Sequence, residues 1–382
     1  MADEPSMDTK VYRDAAGRQV SVRDLLDYFA SQGSMRVSDL HLKAGRPPVY
    51  RVDGDLRPLD GPPLETDTVR GMASVLVSAE ELADVDRDGA VDSSLFTEAM
   101  QFRINCFRDN DGLAIAVRAL EPTPIDVQQI GFPNNVWQDI VTRQWGLVLV
   151  TGITGAGKST TIASLINRIA RTRPVRIITL EDPIEYRLRS DKALISQREV
   201  GRDVPSFARG LRDCLREDPD VIFVGEMRDR ESAAWTLTAA ETGHLVFSTL
   251  HTRDARGTIT RVLDMFATAQ QDEVANQLSL GLAHIVCQKL LPRADGRGRV
   301  AAMEILNNTY AMANLIRHRK VEQVYSQLQT RTRDTATERM ITLERSIAQL
   351  ISAGVVTAVE GSRWANDPTA FAQEIRHLAR DS

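Results

Sequence analysis

The stretch Gly146-Leu-Val-Leu-Val-Thr-Gly152-Ile-Thr-Gly155-Ala-Gly157-Lys158-Ser159-Thr-Thr161 decides how the rest of the chain is read. Leu147–Val150 is an unbroken apolar run of the length of a buried strand; the chain then turns through glycines and enters good helix formers from Ser159. Gly152-x-x-x-x-Gly157-Lys158-Ser159 is the P-loop pattern in the strand–loop–helix setting it requires. Phosphate oxygens need several donors at once, and glycine lets backbone N–H groups turn inward with no Cβ in the way. The following helix N-terminus adds partial positive charge, Lys158 a full charge, and Ser159 a hydroxyl suited to Mg²⁺. The predicted nucleotide-binding residues are therefore Gly152, Ile153, Thr154, Gly155, Ala156, Gly157, Lys158, Ser159 and Thr160.

Downstream, short apolar runs alternate with helical patterns. Strands are predicted at Arg176–Leu180, Val221–Val224 and Leu245–Ser248, and helices at Thr160–Arg171, Phe207–Arg216 and Arg230–Glu241. This alternation predicts an α/β fold with a parallel sheet covered on both faces. Ligands bind such sheets at the carboxyl ends of the strands, so the residues just after each strand carry the functional reading. Glu181-Asp182-Pro183-Ile184-Glu185 follows the first; its carboxylates can hold Mg²⁺ through water, orient an attacking water, or simply begin a loop. Glu226 leaves Val221–Val224 in the Walker B arrangement, where phosphoryl transfer to water needs a polarising group. His251 follows the third strand and reads equally as a structural histidine or a γ-phosphate sensor. His244 precedes that strand and reads as structural.

Upstream, residues 1–18 are polar and without periodicity, which predicts disorder. Ser21-x-x-Asp24 opens a short amphipathic helix to about Gln32. Asp53-Gly54 and Asp111-Gly112 each lie between strand-like runs and predict hairpins, and Thr66 to about Val85 has helical spacing. A small α+β domain is expected at 19–121, a linker marked by Pro122, Pro124 and Pro133 at 122–136, and a core at 137–270. Residues 271–382 read as mostly helical, with helices near Gln271–Gln288, Tyr310–His318, Val321–Thr330 and Thr337–Ala353.

The 382 residues suffice for two or three domains, and the net charge of −5 supplies no electrostatic case for nucleic acid or an anionic membrane as main partner. Cys106, Cys214 and Cys287 are far apart, with no zinc-type spacing, which suits a reducing compartment. The amino terminus has no apolar signal core, and no window approaches the ~18 apolar residues of a membrane span. A cytoplasmic protein touching membranes only through partners is expected.

Several segments together resemble the secretion ATPases of type II and type IV pilus systems, and within them the PilT-like retraction branch. The P-loop is joined by Thr179-Leu180-Glu181-Asp182-Pro183-Ile184-Glu185 (the Asp box), by Leu215-Arg216-x-Asp218-Pro219-Asp220 through Asp229 (the Walker B segment) and by Thr238 through Thr252 (the His box). Ser38–Leu42, Arg51–Gly54 and Phe102–Asn105 extend the likeness to the amino-terminal domain. The resemblance implies a PAS-like domain, a RecA-like P-loop ATPase domain and a helical tail, in a homo-hexameric ring with nucleotide between neighbouring domains. It implies ATP and Mg²⁺ as cofactors. Lys158 and Ser159 would bind phosphate and Mg²⁺, Glu226 would activate water, and Glu181, Asp182 and Glu185 would position metal and water. His251 would sense the γ-phosphate, and Arg103 and Arg118 would contact phosphate from the other domain. An inner-membrane pilus platform protein and a paralogous pilus ATPase are the implied partners, with no direct nucleic acid. Asp111 stands where the branch carries an arginine, and in Ala311-Met-Ala313-Asn-Leu-Ile-Arg-His318 Ala313 and His318 replace charged residues. Leu282–Ile305 holds only Cys287 in place of the tetracysteine motif of assembly and export members. A PilU-like accessory or regulatory ATPase and a nucleic-acid-translocating ring are the alternatives.

Overall fold

The computed structural model describes residues 6–31, 37–52, 55–97, 100–120, 123–334 and 339–381. The chain divides into two compact units: Met1–Thr123 with Pro183–Arg187, and Pro124–Asp182 with Leu188–Ser382.

The first unit runs β1 (Lys10–Arg13), β2 (Gln19–Ser21), α1 (Val22–Ser31), β3 (Val37–Lys43), β4 (Val49–Val52), β5 (Asp55–Pro58), α2 (Thr66–Leu76), α3 (Ala79–Asp88), β6 (Ala90–Phe96), β7 (Gln101–Asp109) and β8 (Gly112–Leu120). Its main sheet has the order β5-β4-β3-β8-β7-β6, with antiparallel neighbours throughout. Side chains alternate across a strand. Leu40 and Leu42, Phe102 and Ile104, and Ile115 and Val117 therefore enter one core with Leu25, Leu26 and Phe29 of α1 and Val69, Met72 and Ala73 of α2. Asp39 and His41, Arg103 and Asn105, and Arg118 take the opposite face.

Three expectations are corrected here. Within the predicted disordered segment 1–18, Lys10–Arg13 pairs with β2, and the buried Tyr12 donates its hydroxyl to Pro62 O at 2.9 Å; a four-residue strand is too short to display a period. The single helix expected over Thr66–Val85 is two, because Ser78 and Glu81 form a capping box that starts α3. The second hairpin closes at Asp109↔Gly112, so its turn residues are Asn110 and Asp111. Strands β4 and β5 pair as expected, while the Asp53-Gly54 turn between them, Gln32 and Pro122 lie outside the described residues.

The second unit comprises α4 (Val136–Thr142), β9 (Gly146–Thr151), α5 (Lys158–Thr172), β10 (Arg176–Glu181), β11 (Leu194–Glu199), α6 (Phe207–Cys214), β12 (Val221–Val224), α7 (Arg230–Glu241), β13 (Leu245–Leu250), α8 (Ala255–Asp264), α9 (Gln271–Gly281), β14 (Leu282–Pro292), β15 (Arg299–Asn307), α10 (Tyr310–Arg317), α11 (Val324–Asp334), α12 (Leu343–Ser352), α13 (Ala358–Trp364) and α14 (Pro368–Asp381). Its sheet has the order β11-β10-β12-β13-β9-β14-β15, parallel except for the final β14–β15 pair. Both faces are covered, which explains the unbroken apolar runs: Leu147, Leu149, Ile222 and Val224 enter one core, and Val148, Val150, Val221 and Phe223 enter the other.

From Pro124 onwards the predicted linker 122–136 belongs to this unit, with Val127, Ile130 and Val136 buried in one cluster with α5 residues Ile162 and Leu165. The helix expected over Gln271–Gln288 ends at Gly281, and residues 282–307 form the β14–β15 hairpin instead. Leu282-Ala-His-Ile-Val-Cys is an apolar run that serves a buried strand as well as a buried helix, and periodicity cannot separate the two. The remaining tail is helical, packed through Leu343, Ile347, Val356 and Phe371 onto Leu291 and Ala302 of that hairpin. Residues 337–338 of the expected Thr337–Ala353 helix lie outside the described residues; α12 begins at Leu343, capped by Thr342.

Candidate functional site

Strand order brings the predicted strand-end residues of the second unit together. The P-loop strand β9 lies beside β13, β13 beside β12, and β12 beside β10. Gly152, His251, Glu226 and Glu181 are thus successive stations along one sheet edge.

The loop from Gly152 to Gly157 leads into α5, whose first residue is Lys158. Lys158 is 9% exposed, and its Nζ donates to Gly152 O at 2.9 Å and Ile153 O at 3.3 Å. The same ammonium lies 3.4 Å from His251 Nδ1. An ammonium can only donate, so Nδ1 accepts and the His251 proton sits on Nε2, which is 3.3 Å from Glu226 Oε1. The other Glu226 oxygen accepts from Arg228 Nε at 2.7 Å, and Arg228 Nη1 donates to Asp182 Oδ2 at 2.9 Å. Bonding to Glu226, ahead of the opposing effect of burial, holds the Arg228 pKa above its ordinary value. Lys158, His251, Glu226, Arg228 and Asp182 form one chain of alternating donors and acceptors.

Glu181 belongs to a different local arrangement. Buried at 8% exposure, its Oε1 accepts from Thr179 Oγ1 at 2.7 Å and from Gln197 Nε2 at 3.0 Å. Ser159 and Thr160 are half-buried in the first turn of α5, and Asp182 is exposed. Among the described residues no three His, Cys, Asp or Glu side chains converge on a metal position.

The remaining candidates belong to the first unit. Arg103 and Arg118 are directly opposite one another on β7 and β8. Arg118 Nε donates to Asp39 Oδ1 at 2.8 Å, and Arg103 Nε lies 3.6 Å from Asp92 Oδ1. Like charges facing across a strand pair are unfavourable. Glu185 is half-buried in Pro183–Arg187, the segment that groups with this unit. There Gln101 Nε2 donates to Ile184 O, and the Arg187 guanidinium lies 5.9 Å over the Phe96 ring. Asp111, in place of an arginine, meets Lys43 Nζ at 2.8 Å, and Asp109 meets the same ammonium at 2.6 Å.

A family profile described as "Type II/IV secretion system protein" matches residues 22–377. The chain belongs to this family. Among type II/IV secretion system proteins it is similar to the type IV pilus retractation ATPase PilT of Pseudomonas aeruginosa, at 40% identity over 353 residues, covering 92% of this chain and all of that protein. It is equally similar to a twitching motility protein of Neisseria gonorrhoeae, at 40% identity over 321 residues and 84% of each chain. The crystal structure of the pilus retraction motor PilT with bound ADP superimposes with a TM-score of 0.84 at 41% identity, covering 93% of this chain and 100% of that one.

Two residues of the site carried no assigned role in the sequence reading. Arg228, which ties Glu226 to Asp182, stands within the Walker B segment, and its two-residue spacing from Glu226 was the available signal. Gln288 contacts the P-loop from β14, a strand that periodicity reads as helix, so it left no signal.

Proposed function

We propose that this protein is an ATP-hydrolysing motor that drives retraction of a type IV pilus, working as a homo-hexamer on an inner-membrane pilus platform protein and alongside a paralogous pilus ATPase. The observation that carries the reading is the continuous side-chain chain from Lys158 through His251 and Glu226 to Arg228 and Asp182. Hydrolysis of a γ-phosphate needs a cation on its oxygens, a base near the attacking water and a group that registers its loss. Lys158, with the backbone N–H groups of residues 152–160, supplies the first. Glu226 supplies the second, and Arg228 fixes its orientation. His251 lies between the two and registers the third, since an ammonium drawn to phosphate leaves Nδ1. Mg²⁺, held by Ser159 with Glu181 and Asp182 acting through water, would neutralise phosphate charge, and Glu185 would help position the water. Arg103 and Arg118, like charges held opposite one another with Asp92 and Asp39 as carboxylate partners, would receive an anion, the phosphate of a nucleotide held by another subunit. No helix among the described residues is long and apolar enough to cross a membrane; in this reading the protein works at the cytoplasmic face of the inner membrane through its partners.

Phosphate release from purified protein tests the chemistry. Replacing both Arg103 and Arg118 by Ala is expected to lower turnover about 10³-fold or more while ADP binding persists. A double variant with wild-type turnover removes the arginines from the site. Deleting the gene and scoring surface pili tests the direction of force: excess pili that do not retract fit the reading, and loss of all pili overturns it.

A further inference from the structure

Strand β14 runs beside the P-loop strand, with Cys287 in register with Thr151, so the next residue, Gln288, is level with the start of the loop. Gln288 is 3% exposed. Its Nε2 donates to Ala156 O at 2.7 Å, and its Oε1 accepts from Thr161 Oγ1 at 2.7 Å. A carbonyl can only accept, so the contact with Ala156 fixes which end of the amide faces the loop, and the Thr161 hydroxyl holds the other end. The peptide between Ala156 and Gly157 is planar and trans, so its C=O and N–H point to opposite sides. With the carbonyl drawn towards β14, the Gly157 N–H is directed away from it.

The same residue shapes the glycine pattern. A Cβ on Gly152 would collide with the Gln288 backbone carbonyl oxygen, and one on Gly157 would lie 2.9 Å from Gln288 Nε2, whereas one on Gly155 would meet nothing within 4 Å. Gly152 is therefore required by the main chain of β14 at this position, and Gly157 is crowded by the Gln288 amide itself.

We propose that Gln288 is a positioning residue for the phosphate cradle, setting the Ala156–Gly157 peptide so that its N–H serves the nucleotide; this rests on residues 152–160 being the nucleotide site. The test is ADP affinity by equilibrium titration, with the unfolding midpoint recorded for each protein. In Gln288→Glu at pH 8 a carboxylate oxygen faces the Ala156 carbonyl and two acceptors repel; affinity is expected to fall about tenfold, the scale of a lost buried hydrogen bond. At pH 5.5 a buried carboxyl, its pKa raised by desolvation, takes up a proton and can donate again. Affinity should then return towards that of wild type at the same pH. Gln288→Leu, which cannot donate at any pH, should stay weak at both. Wild-type affinity in Gln288→Glu at pH 8, or a loss that pH 5.5 does not relieve, overturns the proposal. If Gln288→Glu does not fold at pH 8, Thr161→Val decides: it removes only the hydroxyl that orients the amide, and unchanged affinity overturns the proposal while weaker binding supports it. Lys158→Ala is the separate control, since undiminished ADP affinity there would refute the nucleotide site itself.

Discussion

His251 and His284 belong to the same sheet but to opposite ends of its strands. At the amino end of β14, His284 is 2% exposed, with Nδ1 2.8 Å from Asn307 Oδ1 and Nε2 3.2 Å from Arg143 Nε. Arginine can only donate, so Nε2 accepts, Nδ1 carries the proton and the ring is neutral. Burial pushes its pKa down to about 4. At the carboxyl end of β13, His251 is half-exposed and lies between Lys158 and Glu226 at 3.4 and 3.3 Å. The first histidine has fixed partners and no solvent. The second has looser, charged partners that a phosphate can redistribute. Strand direction, rather than residue type, separates the histidine with fixed buried partners from the one that the proposed function places at the γ-phosphate.

The comparison predicts that carboxyl-end changes alter turnover with folding kept, and that amino-end changes do the reverse. The largest effect is expected for Glu226→Gln, which should lower phosphate release by about 10²- to 10⁴-fold, the usual share of a general base, while retaining ADP binding; wild-type turnover would end the assignment. Next is the acid response of the amino end. The unfolded chain protonates His284 near 6.5 and the folded chain only near 4, so its contribution is full above pH 6.5 and is lost as pH falls towards 4. That loss is about 3 kcal/mol at 1.36 kcal/mol per pKa unit. The fully buried Glu304, raised by desolvation to about 8, has the opposite slope between 4.5 and 8. The readout is therefore the difference in denaturation free energy between wild type and His284→Gln, and a difference that does not vary with pH would break the comparison. His251→Ala should cost about tenfold in turnover, the equivalent of one hydrogen bond, with an unchanged unfolding midpoint; a destabilised protein would make it a second structural histidine. Smallest of all, Asp111→Ala should alter neither quantity measurably, because Lys43 keeps Asp109.

The core of the second unit was legible for a reason visible in its packing. Parallel strands buried on both faces must be apolar throughout, so Val221–Val224 could be bounded correctly from composition alone, and α7 occupies the expected Arg230–Glu241, where the structure adds an Asp229 N-cap. The strand-end positions of Glu226, His251 and Asp182, and the P-loop that delivers Lys158, follow from that order. Their connection does not, because the reach of Arg228 to both Glu226 and Asp182 depends on β12 lying next to β10, and strand order is not written locally. The hairpin β14–β15 was misread for the reason that made β9 easy: an apolar run identifies burial, and only the glycine-rich turn after β9 identified a strand. Gln288 was lost with it. Glu181, expected beside Asp182 in metal positioning, also accepts from Thr179 and Gln197, and the Gln197 bond follows from β11 pairing with β10.

The segment Pro183–Arg187 gives the chain an unusual thread. It leaves the second unit after Asp182, contributes five residues to the first, and returns at Leu188. The two units are therefore stitched by three covalent passages, counting the one at Thr123–Pro124, so neither can be cut out as a single continuous fragment. A truncation at residue 123 would strip Gln101 of the Ile184 carbonyl to which it donates. The chain thus passes directly from Asp182, the residue that accepts from Arg228, into the first unit at Pro183, so the end of β10 is covalently continuous with both units.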